Sequence, residues 1–308
     1  MSENKILVAL DGSKRSLGTV QYLCSFKPFL KKEIVLHNII NKVPECYYDL
    51  KKEPSDYSAN FRVKAWSLGY RAKMKAFMET SRTQLIAAGF KPEAIHTIIA
   101  ERNRGIARDI MDEAQKGYDA LLIRRRGGAE KLLSLAMGSI STKLVGKTTG
   151  LPLMLAGRQK VNHSLFLAID GSDGAKKAVD FTAEIIEDSN CKVVLCSVLR
   201  DFDLYDEKNK KKKSAGFIRT AFEKIETIVR DAGSIFEHAG IPKKNIVFKI
   251  IQGSKSRSGA IVKAAMAENC DTIVFGRKGK SDASSFDIGR VPWKVIFGAK
   301  EMTVWIIP

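Results

Sequence analysis

One pattern occurs twice in this chain: a run of apolar residues that stops at Asp-Gly-Ser. The first copy covers residues 6–13, with its carboxylate at Asp11, and the second covers residues 165–172, with its carboxylate at Asp170. More than a hundred residues after each copy, two glycines stand ten residues apart, namely Gly128 and Gly138, then Gly279 and Gly289. A chain that repeats its plan in this way is built from two copies of one domain, so fold and function must be argued for each copy.

Each copy alternates strand-like and helix-like segments. The longest helix predicted in the first copy covers residues 61–88 and stops at Gly89, with Pro92 just beyond. Strands that alternate with helices are parallel strands joined by crossovers, in a sheet that is covered on both faces. We therefore predict an α/β fold of two tandem five-stranded parallel-sheet domains, residues 1–158 and residues 159–308.

Length and composition limit the class of protein. The 308 residues fit two domains of ordinary size, and the 44% hydrophobic content suffices for two packed cores. No apolar run approaches the roughly 20 residues that a membrane-spanning helix needs. The first residues lead directly into a strand and lack the basic-then-apolar layout of a signal peptide. We predict a soluble cytoplasmic protein without membrane insertion.

The residue types that catalysis needs are scattered. The five cysteines and four histidines form no Cys-x-x-Cys pair and no metal-like spacing, so no metal site is predicted. The sequence contains no Gly-x4-Gly-Lys-Ser/Thr loop, no Gly-x-Ser-x-Gly elbow and no recognisable Ser/His/Asp set. We nominate no catalytic residue, and slow hydrolysis of a bound nucleotide is the most that we expect.

Asp11 and Asp170 each end the first strand of a copy. In an open parallel sheet, ligands bind beyond the carboxyl ends of the strands, where the strand order reverses. A carboxylate there can accept hydrogen bonds from a base amine or a ribose hydroxyl, or help to hold a metal ion. The same residue can also cap the following helix while Gly-Ser makes the turn, and the sequence leaves both interpretations open.

The second copy adds a glycine loop to its carboxylate. Gly276 and Gly279 follow a strand directly, where missing side chains let backbone N–H groups close on a phosphate. Gly289 opens the last helix, whose first amides and dipole favour an anion. Glycines at strand-to-helix turns also serve geometry alone, but together with Asp170 they predict a diphosphate site.

This combination resembles the universal stress protein family. The shared pattern is strand-Asp-Gly-Ser at the start and Gly-x2-Gly-x9-Gly-Ser/Thr before the last helix and strand, and it covers nearly the whole chain as a tandem, two-domain member. The resemblance implies a Rossmann-like fold akin to that of the adenine nucleotide alpha hydrolases. In one branch of the family it implies ATP as the ligand, alone or with Mg²⁺.

The resemblance also assigns the residues of a nucleotide site in each copy. The carboxylate would contact the nucleoside, a residue late in strand two would touch the adenine, and the glycine loop with the following helix start would take the phosphates. In the second copy these residues are Asp170, Val198, Gly276, Gly279 and Gly289; in the first they are Asp11, Ile39, Gly128, Gly138 and Ser139.

Neither copy matches the pattern fully. In the first copy Arg125 takes the place of the first glycine, where its side chain either blocks the approach of the backbone or replaces amide contacts with charge. In the second copy Arg290 replaces Ser/Thr, which removes a hydroxyl and adds a cation beside the phosphates. We favour the second copy as the nucleotide site, in a cytoplasmic protein of stress response or regulation.

Two alternative functions stay open. Arg125 and Arg290 also fit an interaction scaffold whose nucleotide sites have degenerated. The net charge of +18, densest from Lys208 to Lys213, would attract polyanions through a long-range field. No nucleic-acid-binding motif accompanies that charge, so nucleic acid is a secondary hypothesis.

Each copy ends in a short apolar strand. In the family, domains commonly pair through the last strand, so Leu151 to Leu155 and Met302 to Ile307 are the predicted pairing edges. Pairing them, within one chain or between two, would cover exposed strand edges. The irregular segment 44–60 is predicted to be either a disordered stretch or a long loop that closes over a ligand, and its contacts are not predicted.

Overall fold

The chain folds into two compact units. The computed structural model describes residues 4–41, 57–125, 139–158, 160–200, 205–206, 211–212, 215–279 and 288–308. Unit 1 comprises Met1–Ser25 and Leu30–Arg124, and unit 2 comprises Phe26–Phe29 and Arg125–Pro308. The boundary between compact units thus differs from the boundary between sequence repeats, whose predicted division after residue 158 falls within unit 2.

Unit 1 is a parallel sheet with helices between its strands. Its strands are β1 Lys5–Ala9, β2 Glu33–Ile40, β3 Ile95–Glu101 and β4 Ala120–Arg124, and its helices are α1 Leu17–Ser25, α2 Tyr57–Ala87 and α3 Ile106–Ala114. The strand order is β4-β1-β2-β3, with every neighbouring pair parallel. The order reverses between β1 and β4, which is where ligands bind in doubly wound sheets.

The core of unit 1 follows from its apolar pattern. Ile6, Leu7 and Val8 are consecutive and fully buried, as expected for a strand with both faces covered. Helix α2 buries one face, which carries Met74, Met78, Ser81 and Leu85. The helix predicted over 61–88 is confirmed and begins at Tyr57, inside the segment predicted to be irregular; residues 44–56 of that segment lie outside the described part of the chain.

Unit 2 repeats this plan. Its helices are α4 Ser139–Lys147, α5 Asp173–Ile185, α6 Ala215–His238, α7 Arg257–Ala267 and α8 Arg290–Gly298. Its strands are β5 Leu153–Ala156, β6 Ser164–Ala168, β7 Lys192–Arg200, β8 Tyr205–Asp206, β9 Lys211–Lys212, β10 Ile246–Ser254, β11 Thr272–Gly276 and β12 Thr303–Ile307. The short β8 and β9 form a separate antiparallel ladder. No helix that the structure describes is long and apolar enough to cross a membrane.

The main sheet of unit 2 contains five parallel strands and one antiparallel strand. Its order is β10-β7-β6-β11-β12-β5, and only the β12–β5 pair runs antiparallel. The five parallel strands are those predicted for the second copy. The two predicted pairing edges contact each other within the chain, with Trp305 opposite Met154. Pairing between two chains stays a prediction.

An aromatic cluster anchors β12. Trp305 is fully buried, and the rings of Phe26, Phe29 and Phe181 lie 5.6, 6.1 and 6.2 Å from it between centroids. Phe26 and Phe29 precede β2 in the chain yet belong to unit 2 through these contacts. Large buried rings contribute more to a core than any other side chains, so this cluster fixes the strand that closes the parallel sheet.

Candidate functional site

Asp170 and Val198 lie at the same level on neighbouring strands of unit 2. The β6–β7 register pairs Ala168 with Cys196, and the Ile169 amide donates to the Cys196 carbonyl at 2.8 Å. Asp170 is exposed just beyond β6, and Val198 is half-buried near the end of β7. The residue predicted to contact the nucleoside and the one predicted to touch the adenine therefore share one edge of the sheet.

A tight turn fixes the Asp170 carboxylate. Its Oδ1 accepts a hydrogen bond from the Ser172 amide at 3.0 Å, and Gly171 adopts a left-handed φ of +73°. Helix α5 is capped by Ser172, whose Oγ accepts from the Ala175 amide at 3.2 Å. The cap is thus the serine and not the aspartate, and Asp170 orients the turn at the crevice.

The glycine loop of unit 2 packs against this turn through its backbone. A Cβ atom on Gly276 would lie 2.3 Å from the carbonyl carbon of Gly174, in the first turn of α5. A Cβ atom on Gly279 would lie 2.9 Å from Oδ2 of Asp170. Both distances are shorter than a normal contact. Glycine is required at position 276, where the neighbour is backbone, whereas at position 279 the neighbour is a carboxylate side chain that can shift. The structure therefore places Gly276 against the first turn of α5 and Gly279 against Asp170, and their role in binding a nucleotide stays a prediction.

Gly289 has a different role from the predicted one. It is the N-cap residue of α8, and its amide donates to the Arg277 carbonyl at 2.9 Å, so that amide closes the loop instead of facing a phosphate. The first helical turn begins with Arg290, which is exposed, and Val291. Amides at these first positions have no partner within a helix, so they replace the Gly289 amide as candidate phosphate donors.

Unit 1 has the same turn at Asp11. The Leu10 amide donates to the His37 carbonyl at 2.8 Å, which brings Asp11 level with the half-buried Ile39. Oδ1 of Asp11 accepts from the Ser13 amide at 2.9 Å, and Gly12 has a φ of +72°. A buried side chain, Met74 of α2, lies against this turn, because a Cβ atom on Gly12 would be 2.3 Å from its sulfur.

The strand registers correct the alignment of the two copies. Ile6 pairs with Ala120 in unit 1, and the equivalent Leu165 pairs with Thr272 in unit 2. Continuing along each strand, the counterpart of Gly276 is therefore Arg124, and Arg125 corresponds to Arg277. The assignment of Arg125 to the first glycine position is wrong by one residue.

Arg124 lies against the first helix of unit 1. A Cβ atom on Gly18 in α1 would be 2.7 Å from Cζ of the Arg124 guanidinium. In unit 2 the equivalent approach is backbone against backbone, between Gly276 and Gly174. The helix that follows the turn is thus approached by a guanidinium in unit 1 and by the backbone of the glycine loop in unit 2.

Arg125 is not a phosphate ligand. Its side chain is 5% exposed, and its guanidinium donates to the carbonyls of Ile296 and Ala299 at the end of α8, with Met302 at 3.4 Å. Burial lowers the pKa of Arg125 to about 10, against the opposing pull of Glu301, so the group stays charged at neutral pH. Its hydrogen-bond donors are directed at helix carbonyls and away from solvent.

The other predicted residues of the first copy are only partly described. Ser139 is the first residue of α4, whereas Gly128 and Gly138 lie outside the described residues. One residue that the sequence did not suggest is Arg277, which is 4% exposed and donates to the carbonyls of Val145 and Gly146 at 2.6 and 3.1 Å. The sequence feature that could have identified Arg277 is the arginine at the equivalent position of the first copy, Arg125.

A cavity of about 420 Å³ lies elsewhere in unit 2, between α7 and α8. Its lining includes Lys263, Lys294 and Met266, and none of the predicted nucleotide residues. It is wide open to solvent, whereas the predicted site is built from backbone and one carboxylate at the sheet edge. The sheet edge is the stronger candidate for a ligand site, because a carboxylate and a glycine loop meet there. Within the described part of the chain, no cluster of three His, Cys, Asp or Glu side chains could hold a metal ion.

Comparison with known proteins places this geometry in a family context. The model of the universal stress protein family matches residues 162–308. The chain is similar to a universal stress protein from Archaeoglobus fulgidus DSM 4304, with 18% identity and a TM-score of 0.66 over 100% of this chain and 99% of that one. It is also similar to a functionally unknown protein from Pseudomonas aeruginosa PAO1, with 13% identity and a TM-score of 0.53 over 99% of this chain and 92% of that one. These likenesses concern the fold. No curated protein matches the chain.

Proposed function

Through residues 162–308 the chain belongs to the universal stress protein family, and on that premise we propose that it is a stress-response or regulatory protein that binds an adenine nucleotide. The ligand is of the ATP type, alone or with Mg²⁺, and the site is the carboxyl edge of β6, β7 and β11. The observation that carries the proposal is the contact between Gly279 and the Asp170 carboxylate, which joins the nucleoside-side and phosphate-side groups at one place.

The residues present fit such a ligand. Asp170 offers a carboxylate to a ribose hydroxyl or a base amine, and the half-buried Val198 offers an apolar surface to the adenine. Gly276 and Gly279 keep the loop free of side chains that would occupy the cradle. Because a phosphate binds best to converging amides and cations, the exposed Lys278 and Arg290 add the charge that such a ligand requires.

A calorimetric titration of the full chain with ATP tests the proposal. Replacing Asp170 with alanine removes a charged acceptor, which we expect to cost about 2 kcal/mol, or roughly a 30-fold rise in Kd. Asp180→Ala is the matched control, because Asp180 is an exposed carboxylate on α5 away from the sheet edge. No binding of ATP, ADP or AMP by the folded wild-type chain at millimolar nucleotide would refute the proposal.

The cytoplasmic location and the polyanion-binding alternative stay predictions. The second of these has its own signature, because binding through net charge weakens steeply between low and physiological salt. The contribution of Asp170 is a short-range hydrogen bond, so we expect the Asp170→Ala effect to persist at physiological salt.

A further inference from the structure

Two buried arginines, one from each sequence repeat, bind the end of the last helix of the other repeat. Arg125 follows the fourth strand of the first copy and reaches the end of α8, the last helix of the second copy. Arg277 follows the fourth strand of the second copy and reaches the end of α4, the last helix of the first copy. The two contacts are equivalent under the repeat and run in opposite directions. We call this pair the arginine clasp.

The backbones of the two arginines are anchored in the same way. The Arg125 amide donates to the Ala156 carbonyl at 3.1 Å, and the Arg277 amide donates to the Ile307 carbonyl at 2.6 Å. Each arginine is therefore fixed at the end of the fifth strand of its own copy. With the backbone fixed, each side chain reaches a defined helix of the other copy.

The chemistry of the contacts explains how two charges tolerate burial. A helix ends in carbonyls without intrahelical partners and carries a partial negative charge there. A guanidinium offers five donors in a planar fork and can satisfy several of those carbonyls at once. Removing one guanidinium would leave buried acceptors unsatisfied, so each arginine determines the position of the helix end that it holds.

Helix α8 is held at both ends by the clasp. Its N-cap amide, on Gly289, donates to the carbonyl of Arg277, and its last carbonyls accept from Arg125. The helix has 9 residues, a length of about 13 Å, so both anchors act on one short rigid element. The first turn of that element carries Arg290, beside the amides assigned to the phosphates.

We propose that Arg125 and Arg277 are positioning residues, each fixing the last helix of the opposite repeat, and that Arg125 thereby sets the phosphate-binding end of the nucleotide site. The role of Arg125 at the phosphate-binding end rests on the proposed function. The positioning of each last helix by the arginine of the other repeat, which we call crossed control, does not. Arg125 and Arg277 contact helix carbonyls, so they act through α8 and α4 and not by touching a ligand.

Hydrogen–deuterium exchange on the full chain tests the crossed control without any ligand. In Arg277→Met, we expect amides near the end of α4, residues 144–148, to exchange at least tenfold faster, with a smaller change at the end of α8. In Arg125→Met, we expect the reverse, with faster exchange over residues 295–303. Arg125→Lys and Arg277→Lys keep the charge but satisfy fewer carbonyls, so they should show the same crossed pattern at reduced size and serve if a methionine variant does not fold. Equal acceleration of both helices, or acceleration of only the helix in the same repeat, would overturn the proposal.

A titration with ATP then tests the link to the site. Arg125→Met should raise the Kd for ATP at least tenfold, and Arg125→Lys should recover part of the affinity. An unchanged Kd in an Arg125→Met chain that shows the crossed exchange pattern would overturn the positioning of the phosphate end while leaving nucleotide binding intact. If the wild-type chain binds no nucleotide, the proposed function fails and with it the assignment of the phosphate end, while the exchange data still decide the crossed control.

Discussion

The turns that follow β1 in unit 1 and β6 in unit 2 have the same backbone conformation, but different groups pack against them. In both, an aspartate holds the amide of a serine two residues on, at 2.9 and 3.0 Å, across a glycine with a φ of +72° or +73°. In unit 2 a glycine loop closes on this turn, while in unit 1 Arg124 lies against the first helix and Met74 packs on Gly12. The comparison shows that the turn is a property of the repeat, whereas the described groups that pack against it differ between the two units.

The layer beneath the two edges differs as well. His37 in β2 and Cys196 in β7 hold equivalent positions, since their carbonyls accept from Leu10 and Ile169. Burial lowers the pKa of His37 and raises the pKa of Cys196 to about 12, so both side chains are neutral at pH 7. The layer below the edge therefore carries a buried imidazole in unit 1 and a buried thiol in unit 2.

The largest effect is expected from placing the arginine of unit 1 in the loop of unit 2. Gly276→Arg forces a side chain into the Gly174 backbone, which cannot move aside cheaply. We expect a loss of about 3 kcal/mol in the free energy of unfolding and complete loss of ATP binding, measured by denaturant titration and calorimetry.

Gly279→Ala is the companion to that variant. Its Cβ atom would meet a carboxylate oxygen of Asp170, a side chain that can shift, so stability should change far less while ATP affinity falls. Equal stability losses in the two variants would contradict the difference drawn between backbone and side-chain contacts.

A second prediction concerns acid sensitivity in unit 1. Because the folded pKa of His37 lies below its ordinary value, the unfolded chain binds the extra proton first as the pH falls below about 6.5. The free energy of unfolding should then decrease, by up to about 1.4 kcal/mol per pH unit, until the pH reaches the folded pKa. His37→Cys, which installs the residue of unit 2, should flatten this slope in denaturant titrations between pH 7 and pH 5.

Exposed histidines supply the control for that measurement. His238 is exposed on α6, so His238→Cys makes the same substitution at the surface and is the matched control. A slope that survives in His37→Cys would show that the acid sensitivity has another source.

The smallest effects on stability are expected at two glycines, Gly18 in α1 and Gly174 in α5, which lie in the first helix of each repeat. Gly174→Ala would place Cβ 2.7 Å from the Lys278 carbonyl oxygen, and we expect a cost of about 1 kcal/mol and weaker ATP binding. Gly18→Ala meets the far end of a side chain, the Arg124 guanidinium, and the better helix propensity of alanine, about 1 kcal/mol, should offset that contact. Thermal unfolding of the two variants checks the difference, and an equal shift in Tm would contradict it.

Local patterns in the sequence predicted the parts of the site that local chemistry determines. Asp170 with its Gly-Ser turn needs only neighbouring residues, and Gly276 and Gly279 follow from the demands of a strand-to-helix loop. The alternation of strands and helices predicted the parallel sheets, because each strand needed cover on both faces. The pairing of the two last strands came from the family resemblance, supported by their apolar character.

Contacts between residues far apart in the chain could not be predicted from local sequence patterns. Arg125 was counted back from Gly128, and only the strand register shows that the count is one residue off. The partners of Arg125 lie 171 and 174 residues along the chain, so no local signal marked it as buried. Gly289 was assigned to a phosphate because its amide stands at a helix start, yet the Arg277 carbonyl takes that amide.

The most direct test is native mass spectrometry of the full chain with saturating ATP, compared among the wild type, Asp170→Ala and Asp11→Ala. The two variants lose matched side chains from matched turns, so their structural cost is similar. At an ATP concentration that just saturates the wild type, we predict one nucleotide per chain in the wild type and in Asp11→Ala. Because we expect a roughly 30-fold higher Kd in Asp170→Ala, its occupancy should be well below half at that concentration. Retention of the nucleotide in Asp170→Ala together with its loss in Asp11→Ala would contradict the assignment of the site to unit 2.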